Sequence, residues 1–199
     1  MTTSQQIRTF IAIELPGDLK ARLLQLQTEL SMNKPMFIKW VAPDSIHLTL
    51  KFLGDIFPHQ IDKICKAIEE ASQGIPSFQL ETRELGAFPN LRRPRVFWLG
   101  FAGELDKLLV LQHRIEEALI PQGFPREKRS FAPHITLART RERASDRDLS
   151  DFGKLITNSH FKDKYKVNVN SISMMRSQLL PRGAIYTRLY EVTLKDNID

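Results

Sequence analysis

The chain has 199 residues, 42% of them hydrophobic, enough for one large domain or two small lobes sharing an interface. A single cysteine, Cys65, excludes an internal disulfide and any cysteine-rich metal site, and no apolar run suits a signal peptide or a transmembrane helix, so a cytoplasmic protein is the economical expectation. The formal net charge of +6 favours an anionic partner, with nucleic acid the first candidate.

Thr9 to Leu15 reads as a buried first strand. Pro16-Gly17-Asp18 ends it, and Asp18 is placed to cap a helix from Leu19 to about Leu30. Leu19, Leu23, Leu26 and Leu30 fall at helical spacing, and Lys34-Pro35 breaks the pattern. Phe37 to Val41 is short and strand-like, and Pro43-Asp44-Ser45 turns the chain into His47-Leu48-Thr49-Leu50, which Gly54-Asp55 ends. A second helix opens at Pro58-His59-Gln60 and runs to about Ala71, with Cys65 on its apolar face as a core thiol. Phe78 to Leu85 alternates as a strand, Gly86 to Asn90 is a turn-rich link, and Val96 to Phe101 is another apolar strand. A third helix follows to about Leu119, with Leu105, Leu108, Leu109, Gln112 and Ile115 as its inner stripe. Pro121 to Pro125 breaks it before His134-Ile135-Thr136-Leu137. Thr140 to Phe152 is a charged loop with a short helix that Ser145-Asp146 can cap. Lys166 to Met175 alternates as a strand of ambiguous inner face, Ser177 to Gly183 forms a hairpin-like loop punctuated by Pro181, Ala184 to Lys195 is the last strand, and 196–199 is a tail.

The tetrapeptide His-x-Thr-Leu therefore occurs twice, each time after a strand, a glycine turn and a helix at nearly equal separation. This predicts two similar lobes, each with one motif, related by an internal pseudo-two-fold. Within a strand, His and Thr two residues apart share one face, while Leu48 and Leu50, or Ile135 and Leu137, point into a core. Each copy then presents an imidazole beside a hydroxyl over an apolar floor.

Such a pair suits a phosphodiester. A nucleophilic oxygen must lose a proton, a leaving oxygen must gain one, and the charge on the non-bridging oxygens must be held. Imidazole, with an unperturbed pKa of about 6.5, gives or takes a proton near neutrality. Two imidazoles facing across a groove serve as acid and base on one phosphorus, and the two threonine hydroxyls hydrogen-bond its oxygens. No metal or other cofactor is required, and no Asp, Glu or Cys cluster at ligand spacing indicates one. His59, His113 and His160 have no threonine two residues on and read as structural. Lys51 either shares the His47 face, as periodicity places it, or is a solvated lysine at the end of the strand. Arg92, Arg93, Arg95, Arg126, Lys128 and Arg129 are either phosphate contacts to a nucleic-acid chain or solvated loop charges.

These residues resemble the two-histidine (2H) phosphoesterase superfamily, and within it the RNA 2′,3′-cyclic phosphodiesterases, long called 2′-5′ RNA ligases. The resemblance extends over Arg8 to Ile13, Trp40-Val41 with His47 to Gly54, Gly86 to Pro89 with Pro94 to Gly100, Phe131 to Arg139, and Ser177 to Leu179 with Gly183 to Tyr186. It implies one bilobal α+β domain over 1–199, with two antiparallel sheets lining a central V-shaped groove and helices on the outer faces. It also implies metal-independent opening of RNA 2′,3′-cyclic phosphate ends, or of small cyclic nucleotides, to 2′-phosphomonoesters by a monomer. In that scheme His47 is the general acid, His134 the general base, Thr49 and Thr136 bind phosphate oxygens, and Arg139 assists at the phosphate or the nucleoside. The motifs alone leave the order of acid and base open. In a regular strand Arg139 lies on the face opposite His134, so it reaches the groove only if the strand ends or bulges near Ala138. Two alternatives use the same groove: a 2′-5′ RNA ligase running the reaction in reverse, and a non-catalytic module that holds phosphorylated RNA ends.

Overall fold

The alternation at the N-terminus forms β1 (Ile7–Glu14), and the leucine stripe behind it forms α1 (Gly17–Ser31) in a computed structural model that describes residues 5–32, 37–180 and 183–195. The predicted break at Lys34-Pro35, the Pro181 turn and the 196–199 tail lie outside the described residues. The chain continues as β2 (Ile38–Trp40), β3 (His47–Ile56), α2 (Ile61–Ser72), β4 (Phe78–Phe88), β5 (Val96–Gly103), α3 (Leu105–Leu119), β6 (His134–Thr140), α4 (Asp146–Thr157), β7 (Lys166–Val169), β8 (Ser171–Leu180) and β9 (Gly183–Thr193).

Eight strands follow the order β7-β4-β5-β6-β3-β1-β8-β9, with β2 added beside β6. The order reads the same way outward from its centre. Each His-x-Thr-Leu strand is central, flanked by the strand that precedes its lobe's helix, and both halves end in a hairpin or edge strand. The two halves join through one residue pair, Leu48 with Ile135, between antiparallel β3 and β6. Beyond that pair the two strands diverge, which opens the groove.

One apolar cluster lies behind the sheet. It takes Ile11 and Ile13 from β1, Leu48 and Ile135 from the joined strands, and residues of all four helices, including Leu23, Ile64, Leu111 and Phe152. Each such side chain contributes about 1.5–3 kcal/mol by leaving water. A second, small cluster of Phe10, Ala12 and Met175 with Tyr186 lies apart from it.

Several boundaries differ from the sequence reading. The α1 N-cap is Pro16, without a side-chain cap, and Asp18 instead accepts from the neighbouring Leu19 N–H at 2.8 Å. Gly86 to Phe88 is not a link: it pairs with Trp98 to Val96 and continues β4. On α3 the inner face takes Leu111 and Glu116, while Leu109 is exposed. The strand drawn over Lys166 to Met175 is two strands that serve different lobes, β7 on β4 and β8 on β1. The core face changes parity between them, from Val167 and Val169 to Ile172 and Met174, and this is why one inner face could not be chosen. Ser177 to Leu180 is not loop either, but the outer half of β8 paired with β9. Ser145 caps α4 as expected, in a reciprocal pair with Asp148.

Candidate active site

The single pair Leu48–Ile135 sets the site. Both residues are buried in the core, so their neighbours in each strand point the other way. Counting outward from that pair, His47 stands across from Thr136 and Thr49 across from His134. All four side chains line one cavity of about 670 Å³, together with Arg139. The two imidazoles thus face one shared cavity from the two motif strands. His59, His113 and His160 lie outside this cavity.

Both imidazoles are held in the same manner. His47 Nδ1 lies 2.9 Å from the Ser45 carbonyl, and His134 Nδ1 lies 2.6 Å from the Ala132 carbonyl, each two residues upstream. A carbonyl only accepts, so each Nδ1 is the protonated nitrogen and Nε2 is left for chemistry. Ser45 is itself anchored, its hydroxyl donating to the Ala184 carbonyl at 3.1 Å.

Aromatic rings wall each histidine. His47 stacks on Phe10 at 4.5 Å and meets Tyr186 edge-on at 5.1 Å. His134 meets Phe88 at 4.9 Å and Trp98 at 6.3 Å. The walls disfavour charge. Burial pulls His47 down to about 4, against the Ser45 carbonyl, which favours the charged ring; Lys20 lowers it further and Glu14 opposes. Burial also lowers His134, with the Ala132 carbonyl opposing and Arg139 adding to the fall.

A bulge follows the threonine in each motif strand. Against β5, the register skips from Thr136 to Ala138, leaving Leu137 as an extra residue. Leu137 and Ala138 are both buried, and Arg139 emerges on the groove side. Against β1, the register skips from Thr49 to Lys51, leaving Leu50 extra in the same way. Leu50 and Lys51 are both buried, and Phe52 emerges, 58% exposed, on the groove. Lys51 thus lines the same cavity as His47 but is buried rather than solvated. Its side chain is 1% exposed, and its ammonium bonds Glu116 of α3 at 2.6 Å and the Pro125 carbonyl at 2.9 Å.

The basic loops separate. Arg129 lines the cavity, as does Arg8, whereas Arg93 pairs with Asp146 and Arg126 with Glu117 away from it. Among the described residues no group of His, Cys, Asp and Glu is arranged to hold a metal ion, and no helix is long and apolar enough to cross a membrane. Burial raises the Cys65 thiol to about 11, in keeping with a core thiol.

The family model of the LigT-like phosphoesterases matches the chain twice, over residues 13–98 and 101–186, one histidine motif in each. The chain belongs to this family. LigT-like relatives include an RNA 2′,3′-cyclic phosphodiesterase of Thermotoga maritima, 33% identical over 185 residues, which are 93% of this chain and 94% of that one. The corresponding protein of Methanothermobacter thermautotrophicus is 30% identical over 182 residues, 92% of this chain and 96% of its own. Among solved structures, Escherichia coli LigT complexed with 3′-AMP superposes with a TM-score of 0.76 at 24% identity, covering 96% of this chain and 99% of that one. A Thermus thermophilus protein gives 0.74 at 27% identity, covering 96% and 100%.

The aromatic walls fall within the stretches that carry the family resemblance, but their place around the histidines is not legible there. Gln27 of α1 and Gln112 of α3 are buried, and the signal for each is a polar residue at helical spacing inside an apolar stripe.

Proposed function

We propose that this LigT-like phosphoesterase hydrolyses 2′,3′-cyclic phosphate at RNA 3′ ends. The observation that carries the reading is the placement of two His-x-Thr pairs on one face, around a single strand crossing. The names of its relatives supply the substrate class. Water attacks phosphorus and gives its proton to His134 Nε2. The P–O3′ bond breaks, and His47 Nε2 returns a proton to the departing 3′ oxygen. The products are a 2′-phosphomonoester and a free 3′ hydroxyl. Thr49 and Thr136 donate hydrogen bonds to the phosphoryl oxygens, and Arg139 offsets their charge. The order of acid and base follows the family resemblance.

An acid must hold its proton before turnover. Burial keeps His47 near 4 in the free protein, so the substrate's own anionic charge must raise it. The phosphate thus recruits the proton that expels its leaving group.

The test is an RNA oligonucleotide ending in a 2′,3′-cyclic phosphate, with the terminal phosphate position mapped afterwards. His47→Ala and His134→Ala should each lose about 10²–10⁴-fold in rate while staying folded, and EDTA should leave the wild type unaffected. Full activity in either variant would refute the paired chemistry. Tight binding without turnover in the wild type would favour an end-binding module.

A further inference from the structure

The β-bulges fall at Leu50 and Leu137, one on each motif strand. Both carbonyls accept from a buried glutamine on a helix of the opposite half, and the Leu137 carbonyl also accepts the Val41 N–H at 2.9 Å. Gln27 of α1 donates from Nε2 to the Leu137 carbonyl at 3.0 Å and to the Val41 carbonyl at 2.9 Å. Gln112 of α3 donates from Nε2 to the Leu50 carbonyl at 3.4 Å and also reaches Glu116 at 3.2 Å. The two glutamines are 5% and 9% exposed. Burying an amide costs free energy unless it is bonded, and ordering a glutamine costs rotamer entropy besides. An apolar residue would suit either helix face better if packing were the only demand.

The crossing of partners is the informative feature. α1 follows β1 in the half that carries His47, yet its glutamine holds the strand that carries His134. α3 follows β5 in the half that carries His134, yet its glutamine holds the strand that carries His47. Because β3 and β6 share one residue pair, no hydrogen-bonded ladder fixes the angle between them. Past each bulge the next exposed side chain on the cavity is Phe52 in one strand and Arg139 in the other.

We propose that Gln27 and Gln112 are a matched pair of positioning residues, each holding the bulge beside the other half's His-x-Thr pair. Gln27 acts on His134, Thr136 and Arg139, and Gln112 on His47 and Thr49. The kinetic consequence rests on the cyclic phosphodiesterase reading, but the spectroscopic consequence does not.

The experiment uses the full-length isotope-labelled protein with Gln27→Met and Gln112→Met, which keep volume and remove the donor. In the wild type, the side-chain amide protons of both glutamines should exchange with solvent at least about tenfold more slowly than those of an exposed glutamine. In Gln27→Met the imidazole nitrogen resonances of His134 should move and those of His47 should hold. Gln112→Met should give the reverse. With a cyclic phosphate substrate, kcat should fall roughly tenfold to a hundredfold in each, with KM within about twofold. Unprotected amide protons in the wild type would overturn the proposal even if a variant failed to fold. Folded variants with unmoved histidine resonances, or with both histidines moved equally, would overturn it as well. Wild type that lacks turnover while the resonances respond in the crossed pattern would leave this inference standing and refute the phosphodiesterase reading instead.

Discussion

At the scale of single residues, the site is governed by burial of groups that prefer charge. His47 is lowered to about 4 in the folded chain, below the roughly 6.5 of an unfolded histidine. A folded pKa below the unfolded one means that the unfolded chain binds the extra proton first. The stability this histidine leaves intact above about pH 6.5 is therefore lost as pH falls toward 4. His134, also lowered, acts in the same direction. Thermal unfolding of the free protein should fall between pH 7 and 4.5, and by less in His47→Gln. An identical fall in both would remove His47 from the explanation. Lys51 follows the same logic with a partner. Its ammonium and Glu116 are 1% and 7% exposed, and Glu116 also accepts the Glu127 N–H at 3.2 Å. Lys51→Met leaves that carboxylate uncompensated and should cost about 3–5 kcal/mol in urea unfolding. Adding Glu116→Leu should restore part of the loss, and a cost under about 1 kcal/mol for the single change would contradict the buried pairing.

At the scale of elements, the groove depends on how two strands are bent and backed. Trp98 lies against the backbone of β4, where a Cβ on Gly86 would fall 2.3 Å from its ring. The same indole forms one wall of His134. Gly86→Ala must displace that ring, so overpacking should destabilise the protein by about 1–3 kcal/mol, alter the near-ultraviolet circular dichroism and reduce turnover. Unchanged spectra would show that the ring moves freely and that the glycine is not needed for it. The bulges are the other element-scale device. The alternation of Leu48, Leu50, Ile135 and Leu137 was legible in the sequence, because the motif itself has period two. The insertion of one residue at Leu50 and at Leu137 was not, since both extra residues are leucine and fit the apolar pattern either way. That is why the burial of Lys51 at the cavity was not legible, and why Arg139 lines the cavity only through a bulge.

At the scale of the whole molecule, charge is distributed unevenly about the groove. Arg8, Arg129 and Arg139 line it, while Arg93 and Arg126 are engaged with acidic partners elsewhere. If three phosphates of a single strand meet these cations, the logarithm of affinity should fall against that of salt with a slope of about −2. A mononucleotide cyclic phosphate should give a slope of less than about −1 in magnitude. Equal slopes for the two would mean that no upstream phosphate is contacted.

The amino-acid order by itself determined the repeat, the two His-x-Thr pairs, the helical stripes and the family, because these are local periodicities and short motifs. It also placed Arg139 conditionally, on a bulge that periodicity could name but not require. Only the tertiary structure decided that β3 and β6 touch at one pair, and that a glutamine of α1 bonds β6 while one of α3 bonds β3. It also decided that residues 166–175 divide between two lobes. Those outcomes depend on contacts between residues tens of positions apart, such as Gln27 with Leu137 and Lys51 with Glu116. A local pattern carries apolar spacing, but it carries no record of which distant carbonyl or carboxylate a buried polar side chain will find.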